Sequence, residues 1–354
     1  MKRMILLLFM ATLIVLIAQT GIGKATQAAP MGIIYKSGTL GGDETWTSDN
    51  VYVINGDLTV PSGVTLTVES GTVIKFKTRS SATSLIVDGT LNVNGTSSNM
   101  VYFTSIRDDT VGGDTNGDGD NTSPAAGDWD RVYLRSGSSG STISYAELRY
   151  AGGYYSGENY GAIHLEGSSP TLSHIIVRSS DWSAISALAS DQPTITNFTA
   201  YNTPYGGLEI RGGTLSTNAT WDQTDIVYIL TNNVSVAGGT TLTIDAGMII
   251  KFREKSNAAS LTVDGTLNVN GTSSNMVYFT SIRDDTVGGD TNGNGNSTSP
   301  SAGDWDRIYL RSGSSGSTIS YAELRYAGGY YSGENYGAIH LEGSSPTLSH
   351  IIVR

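Results

Sequence analysis

The chain has 354 residues, of which 44 are Gly and only 15% are charged, with a net charge of −11 and no cysteine. This balance excludes disulfides and thiol chemistry, and it argues against nucleic acid, whose phosphates need clustered Lys and Arg. Abundant Gly, Asn, Ser and Thr favour turns and short strands over helices.

In chain order, Met1-Lys2-Arg3 precedes an apolar run from Ile5 to Ala18, and small and polar residues follow up to Ala28. These are the three parts of a secretory signal, and the apolar run is short for a membrane helix. Residues 1–28 are therefore expected to be a signal peptide and 29–37 a linker. The mature chain is expected to have no membrane span and to be secreted or held at the cell surface.

The rest is a tandem repeat. Ser84 to Arg178 returns as Ser260 to Arg354 at an offset of 176, with six differences: Ile86/Thr262, Asp118/Asn294, Asp120/Asn296, Asn121/Ser297, Ala125/Ser301 and Val132/Ile308. Residues 38–212 form one unit and 213–354 a second. The second stops at the equivalent of Arg178, in the middle of a strand pattern, so the natural protein is expected to continue.

Within a unit a shorter period appears. Val132-Tyr133-Leu134, Ile163-His164-Leu165, Ile185-Ser186-Ala187 and Leu208-Glu209-Ile210 alternate apolar and variable residues. A second series, around Ile143, Leu172 and Ile195, follows Gly/Ser/Pro turns. Strands this short at a ~22-residue period, joined by turns too short for helices, predict an all-β solenoid. The expected fold is a right-handed parallel β-helix, with Ile143, Leu172 and Ile195 in one interior column. At ~4.8 Å per coil, a unit of about eight coils is expected.

The run Gly63-Val64-Thr65-Leu66-Thr67-Val68-Glu69-Ser70-Gly71-Thr72-Val73-Ile74-Lys75-Phe76 is followed by Leu85-Ile86-Val87-Asp88-Gly89-Thr90-Leu91. Val101-Tyr102-Phe103-Thr104-Ser105, a Gly/Asp-rich loop and Gly127-Asp128-Trp129 come next. This series resembles secreted bacterial and archaeal surface proteins with right-handed β-helix repeats of the pectin-lyase-like fold. The resemblance is specific for fold and not for activity, because such a fold carries lyases, glycosidases, adhesins and passive rods.

Three groups of residues carry chemistry. Asp114, Asn116, Asp118 and Asp120 put oxygen side chains at alternate positions with Gly119 between, as a loop does when it wraps Ca²⁺. The second copy keeps Asp290, Asn292 and Asn294, with two carboxylates replaced by amides. Asp108, Asp109, Asp128 or Asp130 would close the shell; a plain polar turn is the alternative. An aromatic insert, Tyr154, Tyr155 and Tyr160, with Trp129 and Trp182 nearby, offers flat faces for sugar rings. Its second copy is Tyr330, Tyr331 and Tyr336 with Trp305. The bland reading is that these tyrosines fold onto the coil.

For catalysis the best group is Tyr133 and His164, neighbours one coil apart, with Arg135 beside them. In lyases of the resembled fold a basic or phenolic side chain removes a proton beside a neutralised uronate carboxylate. The leading expectation is a non-catalytic extracellular rod that binds polysaccharide or other cell-surface components through repeated loops. A polysaccharide lyase or glycoside hydrolase is the alternative, and a purely structural stalk is a third reading.

Overall fold

The computed structural model describes residues 32–78, 83–155, 158–254, 259–331 and 334–354. The expected signal peptide lies outside them, as do residues 29–31 of the expected linker, but residues 32–37 are not a linker: they belong to the strand Gly32–Thr39, which pairs in parallel with Asn50–Val60. Among the described residues the strands pair in parallel, apart from two small antiparallel hairpins at Tyr154–Asn159 and Tyr330–Asn335. The chain is a right-handed parallel β-helix, the hand that parallel crossover connections adopt.

Each coil has three strands, and equivalent strands stack into three faces. The first face runs from Glu44–Trp46 through Thr65–Glu69 and Thr90–Asn94 to the N-terminal parts of Thr142–Arg149, Thr171–Arg178 and Thr194–Tyr201. The second face runs from the start of Asn50–Val60 through Val73–Phe76 and Val101–Ser105 to the C-terminal parts of the same long strands. The third holds the end of Asn50–Val60, then Leu85–Val87, Val132–Arg135, Ile163–Glu166, Ser183–Ala187 and Tyr205–Ile210.

Where a long strand bends from the first face to the second, the corner residue is left-handed: Tyr145 (φ 50°), His174 (φ 54°) and Asn197 (φ 53°). The Tyr145 and His174 rings stack 4.0 Å apart along the corner. One coil earlier the chain passes so close that a Cβ on Gly95 would lie 2.1 Å from the Tyr145 carbonyl oxygen, so only glycine fits there.

Alternation along each strand sends one set of side chains inside, and one continuous core runs through both units. Ile143 pairs with Leu172 and Leu172 with Ile195, and all three are buried in the expected column. Truncating one of them, Leu172→Ala for instance, would cost about 2–5 kcal/mol. Two smaller apolar clusters lie outside the coil. Val51, Val53, Val73 and Ile106 are covered by the loop after residue 105, and Tyr205, Ile229 and Ile282 by its second copy.

The units do not stack in phase. Tyr205–Ile210, on the third face of the first unit, pairs with Tyr228–Leu230, which is followed in the same ladder by Ile249–Phe252 and Val277–Ser281. By the offset of 176 these last two are the counterparts of Val73–Phe76 and Val101–Ser105, which belong to the second face. A unit thus overshoots six coils by one face, and its successor is turned by about a third of a revolution. The expected eight coils are reduced because residues 106–131 and 150–162 leave the coil as loops. At the slip, side chains cap the strand edge: Ile195 N donates to Gln223 Oε1 (2.9 Å) and Asn197 N to Asp225 Oδ2 (2.8 Å).

Candidate functional site

The loop that leaves the coil after Val101–Ser105 is tied down at its base. Asp108, fully buried, accepts from Thr104 Oγ1 (2.7 Å), Thr110 Oγ1 (2.5 Å), Thr110 N (3.1 Å) and Arg149 (3.4 Å). Asp128 closes the far end, accepting from Ser105 Oγ (2.6 Å), Arg107 (3.1 Å) and Ala125 N (3.1 Å). Asp130 accepts from Ser84 Oγ at 2.8 Å. These three carboxylates hold the fold, and of the four offered as completing a calcium shell only Asp109 joins the loop acids.

Asp109, Asp114 and Asp118 bring carboxylate oxygens within 4.8 Å of one another. Asp114 accepts from Gly117 N (2.7 Å) and Gly119 N (2.9 Å), and these backbone bonds, Gly119's first, hold its carboxyl below the usual range. Burial, and then the charges of Asp114, Asp118 and Asp120, push Asp109 up, against the pull of Lys75. Asn116 donates its amide to Asp118 Oδ2 (2.9 Å), and Asp120 is exposed outside the trio. Asp109 Oδ1, Asp118 Oδ1 and Thr115 Oγ1 are buried and without hydrogen-bond partners. Their counterparts Asp285 Oδ1, Asn294 Oδ1 and Thr291 Oγ1 are unpartnered too. Buried oxygens are seldom left so, and a hard cation with six to eight oxygen ligands would satisfy them. The donor set fits calcium, with Asp109, Asp114 and Asp118 holding it.

Beneath the loop lies a lysine that the sequence reading passed over. Lys75 is fully buried and donates to Gly113 O at 2.5 Å; Lys251 donates to Gly289 O at 2.7 Å. Burial pushes Lys251 down to about 8, opposed by Asp285, Asp284 and Asp290. The sign of the site is visible in the sequence only as a Lys inside an apolar strand run.

Tyr133 and His164 are paired neighbours, as expected, but they are sealed. Tyr160 folds over His164 edge-on at 4.7 Å, with Tyr133 at 4.9 Å on another side, and His164 has no exposed surface. Its Nδ1 lies 2.8 Å from Ser186 Oγ. Burial, then the charges of Arg211 and Arg131, push the imidazole down to about 2. Tyr133 donates to Glu166 (2.6 Å), and burial followed by that bond raises its phenol. Arg135 lies over the Tyr133 ring at 4.7 Å and pairs with Asp88 at 3.5 Å. The His164 ring is thus covered by Tyr160 and Tyr133, and burial with the Glu166 bond keeps the Tyr133 phenol protonated, both of which weigh against the catalytic alternative.

The aromatic reading also changes. Trp129 is fully buried, stacked on Phe76 at 3.9 Å, and donates to Arg149 O (2.7 Å); Trp305 does the same with Phe252 at 4.0 Å and Arg325 O at 2.7 Å. Both are core residues and present no face to a sugar. Tyr160 and Tyr336 hold the guanidinium groups of Arg131 (3.5 Å) and Arg307 (3.7 Å) against their rings, so they pack inward on the sheet. Tyr154, Tyr155, Tyr330 and Tyr331 form hairpin strands, and their side chains lie outside the described residues.

Two clefts flank the loops at equivalent places. One, of about 290 Å³, is lined by Tyr35, Lys77, Ile106, Arg107, Asn116 and Asp118 among others. Its counterpart, of about 270 Å³, is lined by Trp182, Pro204, Tyr205, Arg253, Glu254, Ile282, Asn292 and Asn294. No helix among the described residues is long and apolar enough to cross a membrane.

Residues 38–180 and 213–340 each match the family model described as a pectate-lyase like beta helix domain. No curated protein and no solved structure matches the chain.

Proposed function

This chain belongs to the pectate-lyase-like β-helix domain family, and from that premise we propose that it is a non-catalytic extracellular rod that binds polysaccharide at a cell surface. The observation that carries this reading is the sealing of Tyr133 and His164. A lyase base has to reach the sugar proton it removes, and here Tyr160 and Tyr133 cover the imidazole. What remains accessible is a set of loops and clefts carried twice on a rigid rod, an arrangement suited to avidity on a repetitive polymer. Calcium held by Asp109, Asp114 and Asp118 would order the first loop and satisfy its unpartnered oxygens. The segment Met1 to Ala28 would direct export and then be removed.

The test is a glycan array on the purified protein, with and without calcium, beside assays for new reducing ends and unsaturated uronate. Binding without product is the expected result. Product formation lost in Tyr133→Phe would replace this reading with an enzyme. Failure to bind any glycan would leave a structural stalk. Sequencing the N-terminus of the exported protein checks the leader, with cleavage after Ala28 expected.

A further inference from the structure

The second cleft differs from the first in its walls and its charge. Because the second unit is turned by one face, its loop docks on the last coil of the first: Gly206 N donates to Thr291 O at 2.7 Å. That docking brings Trp182, Pro204 and Tyr205 from one unit against Arg253, Glu254, Asn292 and Asn294 from the other. Trp182 and Tyr205 meet edge to face at 4.8 Å, and the Arg253 guanidinium lies 5.5 Å and 5.8 Å from their ring centres. Among the described residues Arg253 has no ion-pair partner, while Glu254 pairs with Arg283. Asn294 Oδ1 is buried, unpartnered and part of the cleft lining.

The sequence differences fall in the same place. Of the six that separate Ser84–Arg178 from Ser260–Arg354, three are Asp118/Asn294, Asp120/Asn296 and Asn121/Ser297. Two of these remove a carboxylate from the loop beside the cleft that holds the unpaired arginine. An aromatic wall suits a sugar ring face, an unpartnered amide oxygen suits a hydroxyl, and an unpaired guanidinium suits an anionic substituent. A volume of about 270 Å³ lies near the lower bound of small-molecule pockets, so one ring fits better than a longer segment.

We propose that the junction between consecutive units is a composite binding site for a saccharide ring bearing an anionic group, built by Trp182 and Tyr205 of one unit and Arg253, Asn292 and Asn294 of the next. This rests on the polysaccharide-binding reading and locates it away from the aromatic insert. The shared chemistry is an anion on a sugar, whose source is either a carboxylate or a sulfate.

The experiment titrates the whole protein with an oligouronate, a sulfated oligosaccharide of equal length and a neutral one, following heat and tryptophan fluorescence. One of the two anionic probes is expected to bind better than the neutral one, and which of them does so identifies the source. Arg253→Gln should weaken that binding by about tenfold or more, through loss of a charge-assisted contact. Asn294→Asp, which restores the first copy's carboxylate, should weaken it comparably, and Trp182→Phe should abolish the fluorescence change. Melting temperatures of all variants check that each is folded. Binding unchanged in Arg253→Gln and Asn294→Asp would overturn the junction site while leaving saccharide binding in place. Absence of any saccharide binding by the unaltered protein would overturn both.

Discussion

The two copies of the loop are identical at their bases and different at their tips. Asp108 and Asp284 are both fully buried, and each is bound by a strand Thr, a loop Thr and an Arg on the next coil. The tips diverge: three carboxylates meet at Asp109, Asp114 and Asp118, whereas Asn294 replaces the third in the second copy. The second tip also docks on the preceding unit through Thr291. The base is constrained by what it covers, an outer apolar cluster and a buried lysine, so a change there would uncover both. The second tip adds a contact to a neighbouring coil through Thr291, while the positions that change, Asp118/Asn294, Asp120/Asn296 and Asn121/Ser297, are equally exposed in both copies. The base is thus unchanged where it covers apolar and charged groups, and three of the six differences between the copies fall at the tip.

The largest expected effect tests the common base. Asp108→Ala would leave Thr104, Thr110 and Arg149 without their acceptor, and breaking a buried charged network of this kind costs about 3–5 kcal/mol. Asp284→Ala should cost about the same, because it accepts from the equivalent Thr280, Thr286 and Arg325. Denaturant melts of both single variants measure this. A large inequality would mean that docking on the preceding unit has already changed the base of the second loop.

A reciprocal exchange tests the tips. Calcium bound only by the folded protein stabilises it by about 2.7 kcal/mol at a hundredfold excess over Kd. Asp118→Asn is expected to remove most of the calcium-dependent rise in melting temperature. Asn294→Asp with Asn296→Asp should add a second calcium-dependent increment and bring the bound stoichiometry from one towards two. Titration calorimetry with calcium alone reads both. A melting curve indifferent to calcium and to chelator in every variant would reduce both tips to polar turns.

The coil was legible because its cause is local. Alternation around Ile143, Leu172 and Ile195 and the turns before them recur at nearly constant spacing, and the pairing follows that register. The partnership of Tyr133 and His164 was readable for the same reason. What covers them was not, because Tyr160 arrives from an insert whose path local pattern does not encode. Trp129 looked exposed because it adjoins a Gly/Asp-rich loop, yet Phe76, four strands earlier in the chain, is what it stacks on. Asp109 separates from Asp108 and Asp128 only once their hydrogen bonds are known, since all are Asp in polar surroundings. The junction cleft was hidden for a further reason. Trp182 and Arg253 meet only because a unit overshoots six coils by one face, a remainder that appears when strands, not residues, are counted.

The smallest of these effects concerns the sealed sheet, which contrasts with the solvent-facing tips. His164 is held neutral by burial first and by the charges of Arg211 and Arg131 next, which takes its pKa from 6.5 to about 2. Because the folded-state value is the lower one, the unfolded chain binds the extra proton, and stability is lost as pH falls below the unfolded pKa. The loss begins near pH 6.5 and continues towards the folded value of about 2. At 1.36 kcal/mol per unit, acidification from about pH 7.5 to about pH 5 should cost roughly 2 kcal/mol from this residue. His164→Gln keeps a hydrogen-bonding group near Ser186 and does not titrate, so it should flatten that part of the stability curve. Asp114, whose folded-state carboxyl is also lowered, contributes a loss of the same sign at lower pH, and it remains in both proteins. The relevant quantity is therefore the difference between the two curves, measured by urea unfolding across the range. Parallel curves would show that water and protons reach the imidazole through Tyr160, and the case against Tyr133 and His164 as a catalytic pair would lose its main support.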